Sequence, residues 1–207
     1  MMIKAKHHIV IYPMFQKLTR MLLNRHFHAA SIVGDFNDNG KSVLVIANHI
    51  SWWDGFWIML LNLRVIKRRF HFMMLEEQLK KHWYFQYTGG FSIKKKSRSI
   101  IASIDYTKQL LEQDDNMVLM FPQGEITSMH QHTIKFENGV NRIIQQSGNE
   151  MQVLFVANLL DYFSNSKPTL YMHIETHQAK DLKNGNIESE YNKFYATAFN
   201  AQKSKTS

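Results

Sequence analysis

The sequence predicts an α/β fold, a central largely parallel or mixed sheet flanked by helices, with an amphipathic helical segment at the N-terminus. Three observations point to it. Apolar runs of strand length (Ser42-Val43-Leu44-Val45-Ile46-Ala47, Met117-Val118-Leu119-Met120 and Val153-Leu154-Phe155-Val156-Ala157) read as strands buried on both faces. Segments with apolar residues three and four apart separate them and read as helices. The first two runs end in polar or Gly/Pro turns that lead into such a helix, the alternation expected of a sheet covered on its faces.

The elements follow in order. Residues 9–28 carry Ile11, Met14, Phe15, Leu18 and Leu22 at helical spacing, with Lys17 and Arg20 off that stripe. Such a helix either packs on the core or lies in a membrane interface, the latter favoured by basic residues without acids. A short strand is expected at 31–36, then a tight turn at Asn37-Asp38-Asn39-Gly40 and the strand at 42–47. Asn48-His49-Ile50-Ser51-Trp52-Trp53-Asp54 is a polar turn opening a helix at Asp54. After a basic connection at 64–69 come a strand at 70–75 and a short helix at 76–81. Tyr87-Thr88-Gly89-Gly90-Phe91-Ser92-Ile93-Lys94-Lys95-Lys96-Ser97-Arg98 reads as a loop. Ile100, Ile101, Ile104 and Leu111 mark a helix. The strand at 117–120 ends in Phe121-Pro122-Gln123-Gly124-Glu125, where Pro fixes the exit and Gly frees the backbone. A helix with Val140, Ile143 and Ile144 inward ends at Gly148. Strands at 153–157 and 170–175 follow, then a helix with Tyr191, Phe194, Tyr195 and Ala198 on one face and a polar, frayed tail.

With 207 residues, 44% of them apolar, the chain suits one substantial core. The expected organisation is a single domain over 1–207, with a membrane-interface helix in 1–30, an α/β core in 31–180 and a C-terminal helix and tail in 181–207. The absence of cysteine excludes disulfides, thiolate metal sites and a Cys nucleophile. The basic N-terminus lacks a small-residue cleavage site, so no signal peptide is expected. No stretch reaches the roughly 18 apolar residues of a spanning helix. Residues 64–98 hold ten Lys or Arg against Glu76 and Glu77, a net of +8 that equals the formal charge of the whole chain. A second basic region, Lys4 to Arg25, precedes the first acid, Asp35. Both imply an anionic partner: lipid headgroups, a phosphorylated substrate or nucleic acid. No nucleic-acid motif is present, so no nucleic-acid partner is expected.

His49 and Asp54 are the candidate catalytic pair. An imidazole can act as a general base, and a carboxylate can fix its tautomer and stabilise the protonated ring, which suits deprotonation of a hydroxyl nucleophile. Positions five apart lie about 140° apart around a regular helix, so the two can meet only if the segment begins as a turn. A His followed by an Asp also arises by chance, and a His at such a turn is more often a satisfied polar residue. The paired Gly89-Gly90 permit close backbone approach to a ligand, and Lys94, Lys95, Lys96 and Arg98 can hold phosphate, unless the stretch is simply a solvated basic loop. His26-x-His28 and His130-x-His132 lack a third ligand at sensible spacing, so no metal is expected.

Three separated segments resemble one family in order and spacing: the chain is similar to the lysophospholipid acyltransferases of the glycerolipid acyltransferase superfamily, which includes 1-acylglycerol-3-phosphate acyltransferase. Asn48, His49 and Asp54 match the first motif. Gly89 to Lys95 resembles the second, with Ser92 where an aromatic is usual and Lys95 where Arg is usual. Phe121, Pro122 and Gly124 match the third, Phe-Pro-Glu-Gly-Thr-Arg. Lys135-Phe136-Glu137-Asn138-Gly139 resembles the segment that commonly follows, and Val153 to Ala157 the final motif strand. The resemblance covers about residues 30 to 175.

It implies transfer of a fatty acyl group from an acyl thioester, of coenzyme A or acyl carrier protein, to a hydroxyl of a monoacylated membrane lipid. No cofactor is implied, and the expected location is peripheral, on the cytoplasmic face of an anionic membrane. His49 is then the general base oriented by Asp54. No Gly-x-Ser-x-Gly elbow supplies an acyl-enzyme nucleophile. Gly89, Lys94, Lys95, Phe121, Pro122, Gln123, Gly124 and Glu125 are the expected substrate-binding residues, with backbone donors near Gly124 for the oxyanion. Gln123 replaces the family's Glu, and Glu125-Ile126 its Thr-Arg. In the family that Arg helps bind the acceptor's phosphate, so an acceptor without a phosphate monoester is expected here. The alternatives are a 1-acylglycerol-3-phosphate acyltransferase and a non-catalytic lipid-binding relative.

Overall fold

The strand from Val43 to Ala47 is apolar at every position and fully buried, so both faces of any sheet built around it must be covered. A computed structural model of the chain, which describes residues 2–94, 99–148 and 150–206, has that arrangement. In chain order the elements are α1 (Ile11–His26), β1 (Ala29–Val33), β2 (Val43–Ala47), α2 (Asp54–Leu61) with a π turn at Asn62–Ile66, β3 (Arg69–Leu75), α3 (Glu76–Lys81), a 3₁₀ segment Trp83–Tyr87, β4 (Gly90–Ile93), α4 (Ser99–Leu111), β5 (Asn116–Met120), α5 (Gly139–Gln146), β6 (Gln152–Asp161), β7 (Thr169–Gln178), α6 (Ala179–Leu182) and α7 (Ile187–Lys203).

The strands form one mixed seven-stranded sheet in the order β1-β7-β6-β2-β5-β3-β4. All neighbours are parallel except β6 and β7, which pair antiparallel as a hairpin. Val43, Val45 and Ala47 point into the layer that holds α1 and α2. Leu44 and Ile46 point into the layer of α4, α5 and α7. The crossovers from β2 through β3 to β4 use α2 and α3 on the first face; those returning through β5 to β6 use α4 and α5 on the second. One face per direction is what crossovers of a single hand require. Helices therefore leave the adjacent ends of β2 and β5 toward opposite faces, which opens a crevice between those carboxyl ends.

α2 is apolar all round and buried along nearly its whole length, so it needs cover on its outer side as well. α1 supplies it. Phe15, Thr19 and Leu23 are buried, while Met14 and Leu18 of the expected stripe face outward together with Met21. The helix both packs on the core and leaves an apolar edge exposed.

Four expectations change. The first strand lies at 29–33 rather than 31–36, in register with β7 through Ala29↔Thr169. β6 and β7 outrun their apolar cores because their mutual ladder continues to Asp161↔Thr169. The C-terminal helix persists to Lys203, since Gln202 is buried and donates to the Asp161 carboxylate. The stretch from Tyr87 leaves the 3₁₀ segment and forms the edge strand β4 at Gly90–Ile93 rather than a loop. The N-terminal segment lies along it: Lys6 N–H donates to Gln86 O (2.8 Å), Gly89 N–H to Lys6 O (3.1 Å) and Ser92 N–H to Ile3 O (2.9 Å). That strap shields the sheet edge. A Cβ on Gly89 would sit 2.0 Å from the Phe70 carbonyl oxygen, and one on Gly90 2.7 Å from that of Phe85. The paired glycines thus allow close protein packing. Gly89 is buried there, with its N–H donated to the Lys6 carbonyl.

Candidate active site

His49 stands two residues past Ala47, the last paired residue of β2, and residues 50–53 form a turn instead of continuing as a helix. The Ser51 hydroxyl accepts from Trp53 N–H (3.1 Å), and α2 begins at Asp54. Because of that turn the Asp54 carboxylate folds back over the segment that precedes it. Its Oδ2 accepts from His49 Nδ1 (2.7 Å) and from the main-chain N–H groups of Ile50 (2.7 Å) and Ser51 (2.9 Å). Asp54 is completely buried, and its Oδ1 has no partner among the described residues.

Burial pushes the Asp54 carboxyl above the ordinary carboxylate range, while the hydrogen bonds from His49, Ser51 and Ile50 pull it back. Its place in the first turn of α2 also favours negative charge. With Nδ1–H committed to a carboxylate, the neutral imidazole presents Nε2 as an acceptor. The His49 side chain keeps 22% exposure, and Nε2 has no hydrogen-bond partner among the described residues.

The turn after β5 completes the site. Phe121 stacks on the His49 ring, with centroids 4.1 Å apart and planes 7° from parallel, and so fixes the ring plane. Gln123 is turned onto the His49 main chain: Oε1 accepts from His49 N–H (2.6 Å) and Nε2 donates to the Thr127 hydroxyl (2.5 Å). Thr127 N–H in turn donates to the His49 carbonyl (2.9 Å). Both main-chain polar groups of His49 are therefore held by residues 121–127. Pro122 is buried, and its carbonyl accepts from Glu137 N–H (2.8 Å), which ties in the 135–139 segment. Gly124 has φ +67°, the left-handed conformation that favours glycine. Its own N–H donates to the Phe121 carbonyl (3.2 Å). Glu125 and Ile126 stand exposed beyond it.

The second basic motif stands differently. Lys94 is half-exposed and paired with Glu76 (3.3 Å), which also takes Lys80 (2.7 Å) and is held below the usual carboxylate range by these partners. Lys95, with Lys96 to Arg98, lies outside the described residues. Of the histidine pairs, His26 packs on Trp53 and His132 on Phe199.

Two residues of the site, Asn158 and Thr127, escaped the sequence reading. Asn48 clasps β6 reciprocally: its Nδ2 donates to the Asn158 carbonyl (3.0 Å) and its Oδ1 accepts from Asn158 N–H (2.7 Å). Asn158 lies on β6 two residues past Val156, the partner of Ala47; it is fully buried, and its side-chain amide has no partner among the described residues. The break of the apolar run at that residue was its only signal. The second is Thr127, which belongs to no motif.

Residues 29–158 match the family profile described as Acyltransferase. No curated protein matches the sequence. The matched span begins at β1, takes in the His49–Asp54 turn and the Phe121–Glu125 turn, and closes on Asn158. A buried carboxylate holding an imidazole at the mouth of a doubly wound sheet, inside a match over more than half its length, assigns the chain to the Acyltransferase family, the glycerolipid acyltransferases.

Proposed function

We propose that this acyltransferase moves a fatty acyl group from an acyl thioester to a hydroxyl of a monoacylated membrane lipid. The observation that carries the reading is the 2.7 Å bond from His49 Nδ1 to the buried Asp54 carboxylate, which leaves Nε2 as the accepting nitrogen. The acceptor's O–H proton passes to Nε2 as its oxygen bonds to the thioester carbonyl carbon. The C–S bond then breaks, and the imidazolium returns the proton to the departing thiolate of coenzyme A or acyl carrier protein. Asp54 stabilises the imidazolium through Nδ1–H. The protein works as a peripheral membrane enzyme on the cytoplasmic face.

The acceptor in this reading carries no phosphate monoester. A phosphate monoester is best held by a bidentate guanidinium, and the third motif offers exposed Glu125 and Ile126 instead. A carboxylate there repels a dianion but accepts hydrogen bonds from an amine or hydroxyl headgroup. Lys94, already paired with Glu76, is poorly placed to replace the missing Arg. A monoacylated amino-acid lipid or glycolipid fits.

The test is a competition assay. Purified protein receives one acyl donor with lysophosphatidic acid and a monoacylated aminolipid together, and the products are resolved by mass spectrometry. The diacylated aminolipid is expected. Preference for lysophosphatidic acid, lost in Lys95→Ala, would restore the usual family acceptor.

A further inference from the structure

The exposed edge of α1 is one part of a larger surface. Inward placement of Phe15, Thr19 and Leu23 turns Met14 outward at 61% exposure, with Met21 beside it, and the turn before the helix leaves Ile9 at 87%. Two exposed aromatic groups adjoin α1. Trp52, three residues after His49, is 62% exposed; its ring meets Phe56 (4.9 Å), which meets Phe15 of α1 (5.6 Å). At the other end the 3₁₀ segment carries Trp83, 61% exposed, and the exposed Tyr84. Trp83 packs on Tyr87 (6.0 Å), Tyr87 meets His8 just before α1 (6.1 Å), and Phe85 meets Phe15 (5.8 Å). Phe15, Phe56 and Phe85, through which these ring contacts run, belong to one core layer on one face of the sheet.

Charge selects the occupant. No Asp or Glu precedes Asp35, whereas α1 carries Lys17, Arg20 and Arg25 at exposed positions. α3, beside the 3₁₀ segment, carries the exposed Lys80 and Lys81 with the exposed Glu77, so the cationic excess of this surface lies in the N-terminal segment and α1. Glu76 is already paired with Lys80 and Lys94. Apolar side chains flanked by Trp and Tyr and surrounded by cations suit the boundary of an anionic bilayer, where the ring bodies enter the acyl region and the cations remain among headgroups.

We infer that the outer edge of α1, Trp52 and the Trp83–Tyr84 turn form one docking face for an anionic lipid bilayer. Trp52 seats the His49–Asp54 turn at headgroup level, so the acceptor hydroxyl meets Nε2 while its acyl chain stays in the leaflet. The inference rests on the membrane-lipid acceptor proposed above and extends the contact from α1 to a second anchor in the 3₁₀ segment.

The experiment uses the full chain and two double variants, Trp83→Ala with Tyr84→Ala and Met14→Glu with Met21→Glu. Co-sedimentation with vesicles of phosphatidylglycerol and phosphatidylcholine is compared with pure phosphatidylcholine. Turnover is measured in parallel on detergent-dispersed acceptor. The parent chain is expected to partition onto the anionic vesicles, less so in high salt. Each variant is expected to partition about ten-fold more weakly, the loss of two interfacial side chains, with detergent turnover unchanged. Wild-type partitioning by the Trp83/Tyr84 variant overturns the inference, as does failure of the parent to bind anionic vesicles. Self-association abolished by the same substitutions would assign the face to a second copy and overturn it too. Absence of detergent turnover in the parent strikes at the acyl-transfer reading and leaves the vesicle result standing.

Discussion

Asp54→Asn separates chemistry from architecture at this site. The carboxylate Oδ2 receives three N–H groups, two of them from the main chain. An amide oxygen of the same shape can still accept from Ile50 and Ser51, so the turn keeps its partners. The amide cannot stabilise a protonated His49 as a carboxylate does; with its oxygen at the Oδ2 position, its NH₂ takes the Oδ1 position, away from His49. Disturbing a general base in this way costs about 10²- to 10⁴-fold in kcat. Stability should change little, because a neutral residue escapes the burial penalty on the Asp54 charge, which offsets the buried NH₂ at the partnerless Oδ1 position. Asp54→Ala removes the acceptor altogether and leaves two main-chain N–H groups unpaired in the interior, at about 1–3 kcal/mol each. The assay follows the thiol released from the acyl thioester with a thiol-reactive chromophore. The chain has no cysteine, so it contributes no background. Thermal unfolding is recorded alongside. The expected pattern is a stable, nearly inactive Asn variant and an inactive, less stable Ala variant. Near-native turnover in Asp54→Asn would refute the orientation of His49 by Asp54.

Other outcomes follow from the same coordinates. Gln123→Leu leaves the His49 N–H without its 2.6 Å acceptor and should lower stability by about 1–3 kcal/mol together with kcat, whereas Gln123→Glu keeps an acceptor there and should retain activity. Equal kcat for the Leu variant and the parent would show that the main-chain clasp does not position the base. His71 is buried on β3, its ring edge-on to His7 (4.8 Å), and burial pushes it from 6.5 down to about 3. The unfolded chain therefore binds a proton below 6.5 that the folded chain refuses. Its contribution to stability is complete above that value and is lost as pH falls toward 3, amounting to about 2 kcal/mol by pH 5. His7 and His173, also lowered by burial, act in the same direction. Urea unfolding at neutral pH and near pH 5 reads the loss, and an unchanged midpoint would contradict it. Removal of residues 9–28 should yield aggregated protein, because α1 covers α2 through Phe15 and Leu23. A soluble, cooperatively unfolding truncation would show that α1 is dispensable to the core.

The sequence by itself determined the α/β class, the order of nearly every element and the pairing of His49 with Asp54. Each of these is local: a strand buried on both faces must be apolar throughout, a helix must repeat near 3.6 residues, and a base and its carboxylate five residues apart can be joined by one turn. The family's third motif likewise located the turn at Phe121–Glu125. Only the tertiary structure decided what those residues touch. Gln123 reads as a ligand contact along the chain, but β5 lies next to β2, which brings its amide onto the His49 main chain. Gly89 and Gly90 read as a ligand cradle, but a strap nearly ninety residues away in sequence closes over them. Asn158 carried little signal until β6 paired beside β2 and set its main chain against the Asn48 side chain. α1 shows a single apolar stripe on paper, and its split into a buried and an exposed edge depends on where α2 stops. Contacts between distant segments follow from strand order and register, which local periodicity does not encode.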